Sequence, residues 1–307
     1  MAVTNATTYG TIETNGGAVA ELLAAEVLQQ LFDPTDIRAT VTRIAYNPMG
    51  SDTLNVTKDM VPGAFTAPGQ NTTLNATTYT TSHFDIEVAA YRRAYALGDL
   101  VPVSGSPIDL DRAVSNLMQG VALTMTDLIA ALFPSFTAQA GTALVALDTD
   151  AVYDGIFALT TALNSGPAAC VLHPVQFNDF ISSLRAESGA AQWLPATGAM
   201  LAQRGPGFKG SWMNVDFYVS DSVGLDGAGT SYVGGLYTPG AIAYSMANVA
   251  SMGVHVPASN VILNAGELLV ELDRTASDGV SAAYATMFAG ASMAEDGRGV
   301  EIISDAS

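Results

Sequence analysis

At 307 residues, 49% of them apolar and only 13% charged, the chain is long enough for one large or two ordinary domains with a real core and is not a disordered polymer. Its 29 acids against 11 bases leave a net charge of −18, which excludes a nucleic-acid binder built on clustered Lys and Arg; the lysines are Lys58 and Lys209 alone, and Arg92–Arg93 is the one basic pair. The lone Cys170 excludes an intrachain disulfide, no run of about 18 apolar residues is present to span a membrane, and the opening MAVTNATTYG lacks the order of a secretory signal.

Residues 1–16 are polar, small and β-prone, and read as an extended arm. Ala18 to Phe32 follows with Leu22, Leu23, Val27, Leu28 and Leu31 at helical spacing, and Asp33–Pro34 ends that helix. Residues 37–46 alternate as a strand, with a turn at Asn47–Pro48 and Gly50. Ser51 to Asp59 alternates again. Residues 60–77 carry Pro62, Gly63, Pro68, Gly69 and a Thr/Asn-rich run, with too few apolar side chains for a core. Thr78 to Leu97 is β-prone, with Phe84, Ile86 and Val88 alternating. Two extended runs therefore flank a projecting loop at 47–82. Loops this long in compact domains are functional or mobile; contact with another subunit is a third explanation and the reading favoured here.

The longest regular pattern is the helix predicted over 107–133. Leu110, Val114, Leu117, Val121, Met125, Leu128 and Leu132 form one face, widened by Ala113, Met118, Ala122 and Ile129. Ser106 is the expected cap with Asp109 reaching back, Pro107 suits the first position, and Pro134 stops the helix. About 27 residues at ~1.5 Å rise make a rod of roughly 40 Å. Asp111, Arg112, Asn116, Gln119 and Asp127 mark the polar face.

Phe136 to Asp148 reads as a loop or short strand. Thr149 or Asp150 is the expected cap of a helix over Val152 to Leu163, ended by Asn164–Ser165–Gly166. Ala168 to Leu172 is an apolar strand, and Pro174 opens a third helix with Phe177, Phe180, Ile181 and Leu184 on one face. Residues 188–210 are Gly/Ala-rich, with Trp193 their one large anchor. Met213 to Ser220 and Ser231 to Tyr237 read as strands around a turn at Asp226–Gly229. Pro239 to Ala247 reads as a helix or a strand. Glu267 to Arg274 and Val280 to Ala289 flank Ser277–Asp278–Gly279, a hairpin turn signal. Val300 to Ile303 is the last strand.

Candidate chemistry is sparse. Cys170 and His173 are spaced as a nucleophile and its base could be, although an apolar run around Cys170 favours a packing role. His83, His173 and His255 show no metal-ligand spacing. Asp148, Asp150 and Asp154–Gly155 are similar to a calcium loop, but Leu159 stands where a bidentate Glu belongs, so helix capping is the better account. Gly205–Pro206–Gly207 and Gly234–Gly235 are not dinucleotide fingerprints, and no Gly-x-Ser-x-Gly elbow or phosphate loop is present. No enzyme, cofactor or metal is expected.

The order of parts resembles the major capsid proteins of tailed bacteriophages, with their α+β, Hong Kong 97 type fold. The strings that carry the resemblance are VLHPVQFNDFISSLRA (Val171 to Ala186), GPGFKGSWMNVDFYVSDSV (Gly205 to Val223), GGLYTPGAIAYSM (Gly234 to Met246) and LLVELDRTASDGVSAAYATMFAGASM (Leu268 to Met293). The resemblance implies an N-terminal arm at 1–33 and a peripheral domain over 34–149 holding the extended loop 47–82 and spine helix 107–133. It implies an axial domain over 150–258, and a return over 259–307 with hairpin 267–290 and last strand 299–303.

It further implies pentamers and hexamers closing into an icosahedral head around double-stranded DNA. The partners implied are a portal, a scaffold and decoration or cement proteins. Assembly would take place in the bacterial cytoplasm and the product would be the virion. No charged helical scaffolding segment precedes Ile37, and the initial Met points to a separate scaffold rather than a removed segment. Some members cross-link a loop lysine to a neighbour's asparagine; Lys58 lies in the matching loop, and Asn260 and Asn264 lie near the late hairpin. Two alternatives stay open: an encapsulin-like nanocompartment shell, and a soluble enzyme or binding domain using Cys170 and His173.

Overall fold

The computed structural model describes residues 35–46, 51–58, 78–98, 110–161, 168–187, 193–248, 261–264, 267–275 and 280–306. The expected arm 1–33, the loop tip at 59–77, the cap at Ser106, the turn at Ser277–Gly279, and Asn260 and His255 lie outside them.

The long helix, α1, runs Leu110–Ala130. Its expected stripe faces inward: Leu117, Met125 and Ile129 are buried, and Val121, Leu128 and Leu132 pack against the same core, while Asn116 and Asp127 are exposed. The helix ends at Ala130 rather than at residue 133. Pro134 brings no N–H, and the chain tightens into a 3-10 turn over Phe133–Ser135, with Leu132 N–H donating to Ile129 O at 3.1 Å and Ser135 N–H to Leu132 O at 3.0 Å. That tightening turns Phe133 fully into the core.

The strand expected over 37–46 is shorter. Residues Arg38–Thr40 form a 3-10 turn and β1 covers Thr42–Ala45. The Asp36 carboxylate accepts from the Arg38 N–H at 3.0 Å and pairs with its guanidinium at 2.6 Å, and Thr40 Oγ1 donates to Ile37 O at 2.7 Å. Such local bonds compete with a strand ladder. The β-prone run from Thr78 divides into β3 (Ser82–Glu87) and β4 (Ala89–Gly98). The break is at buried Val88, whose N–H donates to Asp52 O at 2.8 Å. Before it β3 pairs with β2 (Thr53–Lys58); after it β4 joins another sheet.

That sheet has six strands. Its centre is β14 (Val280–Met293), four residues longer than expected. Along Val280 to Met287 it pairs antiparallel with β13 (Leu268–Thr275), which carries β12 (Val261–Asn264) on its other side. β4 lies along Val280 to Ala289, and β11 (Ile242–Met246) continues along Ala289 to Met293, with β1 parallel beyond it. The stretch left open between helix and strand is thus the strand β11. α1 lies across β13 and β14.

A second sheet has seven strands in the order β5-β15-β10-β6-β9-β8-β7. They are β5 (Gln139–Gly141), β6 (Ala168–Leu172), β7 (Leu194–Pro195), β8 (Phe208–Trp212), β9 (Val215–Val219), β10 (Ser231–Tyr237) and β15 (Gly299–Asp305). Side chains alternate between two buried faces, the period of a strand. Cys170, Leu172, Phe217, Leu236 and Ile302 meet helices α2 (Thr149–Thr161) and α3 (Pro174–Ala186). Ala169, Val171, Tyr218, Tyr237 and Ile303 join the core beneath α1. Burial on both faces explains why β6 reads as an unbroken apolar run. Gly235 is where the sheet meets the 3-10 turn after α1: a Cβ there would lie 2.5 Å from the Phe133 ring.

The Gly/Ala-rich stretch around Trp193 holds three elements: β7, a short helix α4 (Gly198–Arg204) and β8. β8 returns into β9 through Met213 and Asn214, both at positive φ (49° and 65°). Two successive left-handed residues make the primed turn that matches strand twist.

Candidate functional site

Cys170 and His173 are spent on folding. Cys170 is fully buried in the middle of β6, and burial pushes its thiol pKa up beyond the range in which a thiolate forms. His173 is the N-cap of α3: its Nδ1 accepts from the Val175 N–H at 3.3 Å, and Gln176 Oε1 accepts from the His173 N–H at 3.1 Å. This is a capping box with His in the Ser/Thr place. The imidazole stacks on Tyr232 with ring centroids 3.6 Å apart. Burial lowers its pKa, against a smaller raising effect of Asp221. Buried Gln176 also donates to Tyr232 O at 3.0 Å and to Ile302 O at 3.2 Å, fastening α3 to β10 and β15. A protonated thiol and an imidazole nitrogen already bonded to a backbone N–H do not form a nucleophile and base.

Of the three acids of the calcium-like stretch, one acts on α2. Asp148, rather than Thr149 or Asp150, caps it: Asp148 Oδ1 accepts from the Ala151 N–H at 2.8 Å. Thr149 instead turns its hydroxyl to Ser183 Oγ, 3.2 Å away, and to Glu187, joining α2 to α3. Asp150 and Asp154 are exposed. Among the described residues no group of three or more His, Cys, Asp and Glu is placed to hold a metal ion.

Lys58 closes β2, paired in register with Ser82 of β3. Its ammonium donates to Ala294 O, lies 3.4 Å from a Glu295 carboxylate oxygen, and sits 5.6 Å from the centre of the Phe84 ring. In this conformation Lys58 ties the β2–β3 ribbon to the end of β14. Asn264 pairs through its backbone with Leu269 on β13.

The surface carries more information than any polar cluster. All but Tyr79 and Leu225 of the exposed large apolar side chains among the described residues lie at the two edges of the seven-stranded sheet. At the β5 edge stand Leu144, Val145, Tyr153 and Phe157, the last 63% exposed. Tyr153 and Phe157 are one turn apart on the side of α2 opposite buried Val152 and Leu159. A second apolar pair at i, i+4 on an already amphipathic helix was the signal available in the sequence. At the β7 edge stand Leu194 (61% exposed), Leu201 and Met213. A cleft of about 190 Å³ opens between α1, β4 and β14, lined by Tyr91, Arg93, Leu117, Val121 and Met287.

No protein-family model matches this chain. No curated protein matches it in sequence. Solved structures do match. The head structure of Helicobacter pylori bacteriophage KHP40 superposes with a TM-score of 0.61 at 12% identity, covering 88% of this chain and 88% of that one. The acidic stable capsid structure of Helicobacter pylori bacteriophage KHP30 gives 0.59 at 13% identity, covering 90% and 91%. The capsid structure of cyanophage P-SCSP1u gives 0.57 at 11% identity, covering 90% of each chain. Identity this low carries the fold and nothing finer. No helix among the described residues is long and apolar enough to cross a membrane. The described chain has an α+β architecture with the fold found in these phage capsids, the Hong Kong 97 type.

Proposed function

We propose that the chain is a major capsid protein, a non-enzymatic subunit that self-assembles as pentamers and hexamers into the icosahedral head of a tailed phage around double-stranded DNA. The observation that carries this reading is the superposition on phage head and capsid structures over nearly the full length of both chains. The residue-level picture supports it: the polar clusters resolve into caps and fastenings, while apolar side chains stand exposed at sheet edges, as an assembling subunit needs. On this reading the arm 1–33 and loop 47–82 reach over neighbouring subunits. The spine helix and hairpin 267–290 form a peripheral domain, and residues 150–258 an axial one. A portal, a scaffold and decoration proteins complete the head, the virion is its location, and the host cytoplasm its place of assembly. The net charge of −18 lets packed DNA move without sticking.

Electron microscopy of the expressed full-length chain tests this. Uniform shells tens of nanometres wide, or hexamer sheets, are the expected outcome. A stable single-subunit species up to high concentration overturns it, and so do native shells filled with protein cargo in place of DNA.

A further inference from the structure

We infer that the two edges of the seven-stranded sheet are complementary halves of one contact, so that copies of this chain join head to tail, the α2 face of one against the β7–α4 face of the next. The inference rests on the reading of the chain as a self-assembling subunit and names the surfaces that do the joining.

Three observations carry it. The exposed apolar side chains are not scattered: Tyr153 and Phe157 on α2, with Leu144 and Val145, occupy one edge, and Leu194, Leu201 and Met213 the other. Exposed apolar patches of this kind mark contact surfaces, and an aromatic pair is what anchors one. Next, the edges differ in charge. Residues 136–161 hold Asp148, Asp150 and Asp154 and no base, whereas residues 193–214 hold Arg204 and Lys209 and no acid. Arg204 lies over the Phe208 ring and is paired with Asp216, while Lys209 is exposed on β8. Arg204 is thus met within the chain, and exposed Lys209 is the base that this edge offers to something negative. Finally, the patches cannot meet within one molecule. They flank a sheet of seven strands, which at ~4.8 Å per strand sets them roughly 29 Å apart.

Opposite charge on different patches disfavours like meeting like, so a two-fold pairing of α2 on α2 would set Asp150 and Asp154 against their own copies. Patch-to-opposite-patch contact is heterologous, and a heterologous contact that closes makes a ring. The occupant of each edge is therefore a second copy of this chain.

The test uses the full-length chain in about 0.1 M salt and blocks each edge by charge. F157K places a base where Lys209 would approach, and L194D places an acid where the α2 acids would approach. Either variant alone is expected to lose assembled material roughly tenfold or more in sedimentation velocity. Mixed in equal amounts they are expected to regain assembled material, because each retains one working edge and the new lysine and aspartate face each other across the second. D154K weakens assembly, and adding K209D in the same chain restores it. Circular dichroism and the melting midpoint confirm folding; if F157K does not fold, F157A and D154K carry the same comparison. Three results overturn the inference: edge variants that assemble like the parent, an L194D chain that still pairs by itself, or a mixture that stays single-subunit. Rings that never close into shells retire the capsid reading and leave the edge pairing standing. Shells indifferent to the edge variants do the reverse.

Discussion

At the residue scale, His173 shows how a group that looks catalytic in sequence becomes structural. Its neutral Nδ1 holds the first turn of α3, and a protonated imidazole cannot accept that bond. Burial lowers its pKa below the ordinary value near 6.5. A histidine with a lowered folded-state pKa costs the native state nothing at pH 8, where both states are neutral. The native state loses stability as pH falls through about 6.5 toward the folded-state value. Asp179 and Glu301 act in the opposite sense, because burial raises their pKa and protonation relieves them. They are present in any His173 variant, so a difference measurement removes them. Asn keeps a capping oxygen without a titrating group. The melting midpoint of the parent is expected to fall by ~1–3 °C more than that of His173→Asn between pH 8 and pH 5.5. Parallel pH profiles for the two proteins would mean that the cap survives protonation.

At the element scale, α1 was legible because its apolar pattern is long. Its stripe is also where stability is concentrated. Ile129 is fully buried and packs toward the core shared by both sheets. Ile129→Ala is expected to cost about 2–5 kcal/mol in urea unfolding with an unchanged slope. Asn116→Ala, on the exposed face, should stay within about 0.5 kcal/mol. Equal effects at the two positions would mean that the helix does not seat on the sheets by this face. The fully buried β6 and the nearly fully buried β10 were equally legible from their apolar runs. The stretch at 193–212 was not. β7 is two residues long, α4 has no buried residue, and β8 is interrupted by Gly210, so no periodicity accumulates. The β8–β9 turn was hidden because Met213 and Asn214 take the left-handed region without a glycine. The surfaces were harder still. Exposed Leu194 and Phe157 have the same letters as core residues, and only folding shows which side of an element they take.

At the scale of the whole molecule, two electrostatic effects oppose each other, and their magnitudes decide the outcome. A net charge of −18 on every copy repels neighbours over a Debye length, which is ~30 Å at 0.01 M salt and ~10 Å at 0.1 M. The attraction of Asp150 and Asp154 for Lys209 acts only at contact and between exposed groups, where a pair is worth about 0–1 kcal/mol. Salt therefore removes more repulsion than attraction, while the apolar part of the contact is untouched. Raising salt from about 0.01 to 0.1 M is expected to lower the concentration at which light scattering reports assembly, by about threefold or more. The same charge means that the free chain should not retard duplex DNA on a gel even at the lower salt, where a basic binder would hold it most tightly. Assembly that weakens with added salt would make charge pairing, rather than apolar burial, the force between subunits. DNA retention that vanishes with salt would require a basic surface that the described residues do not present.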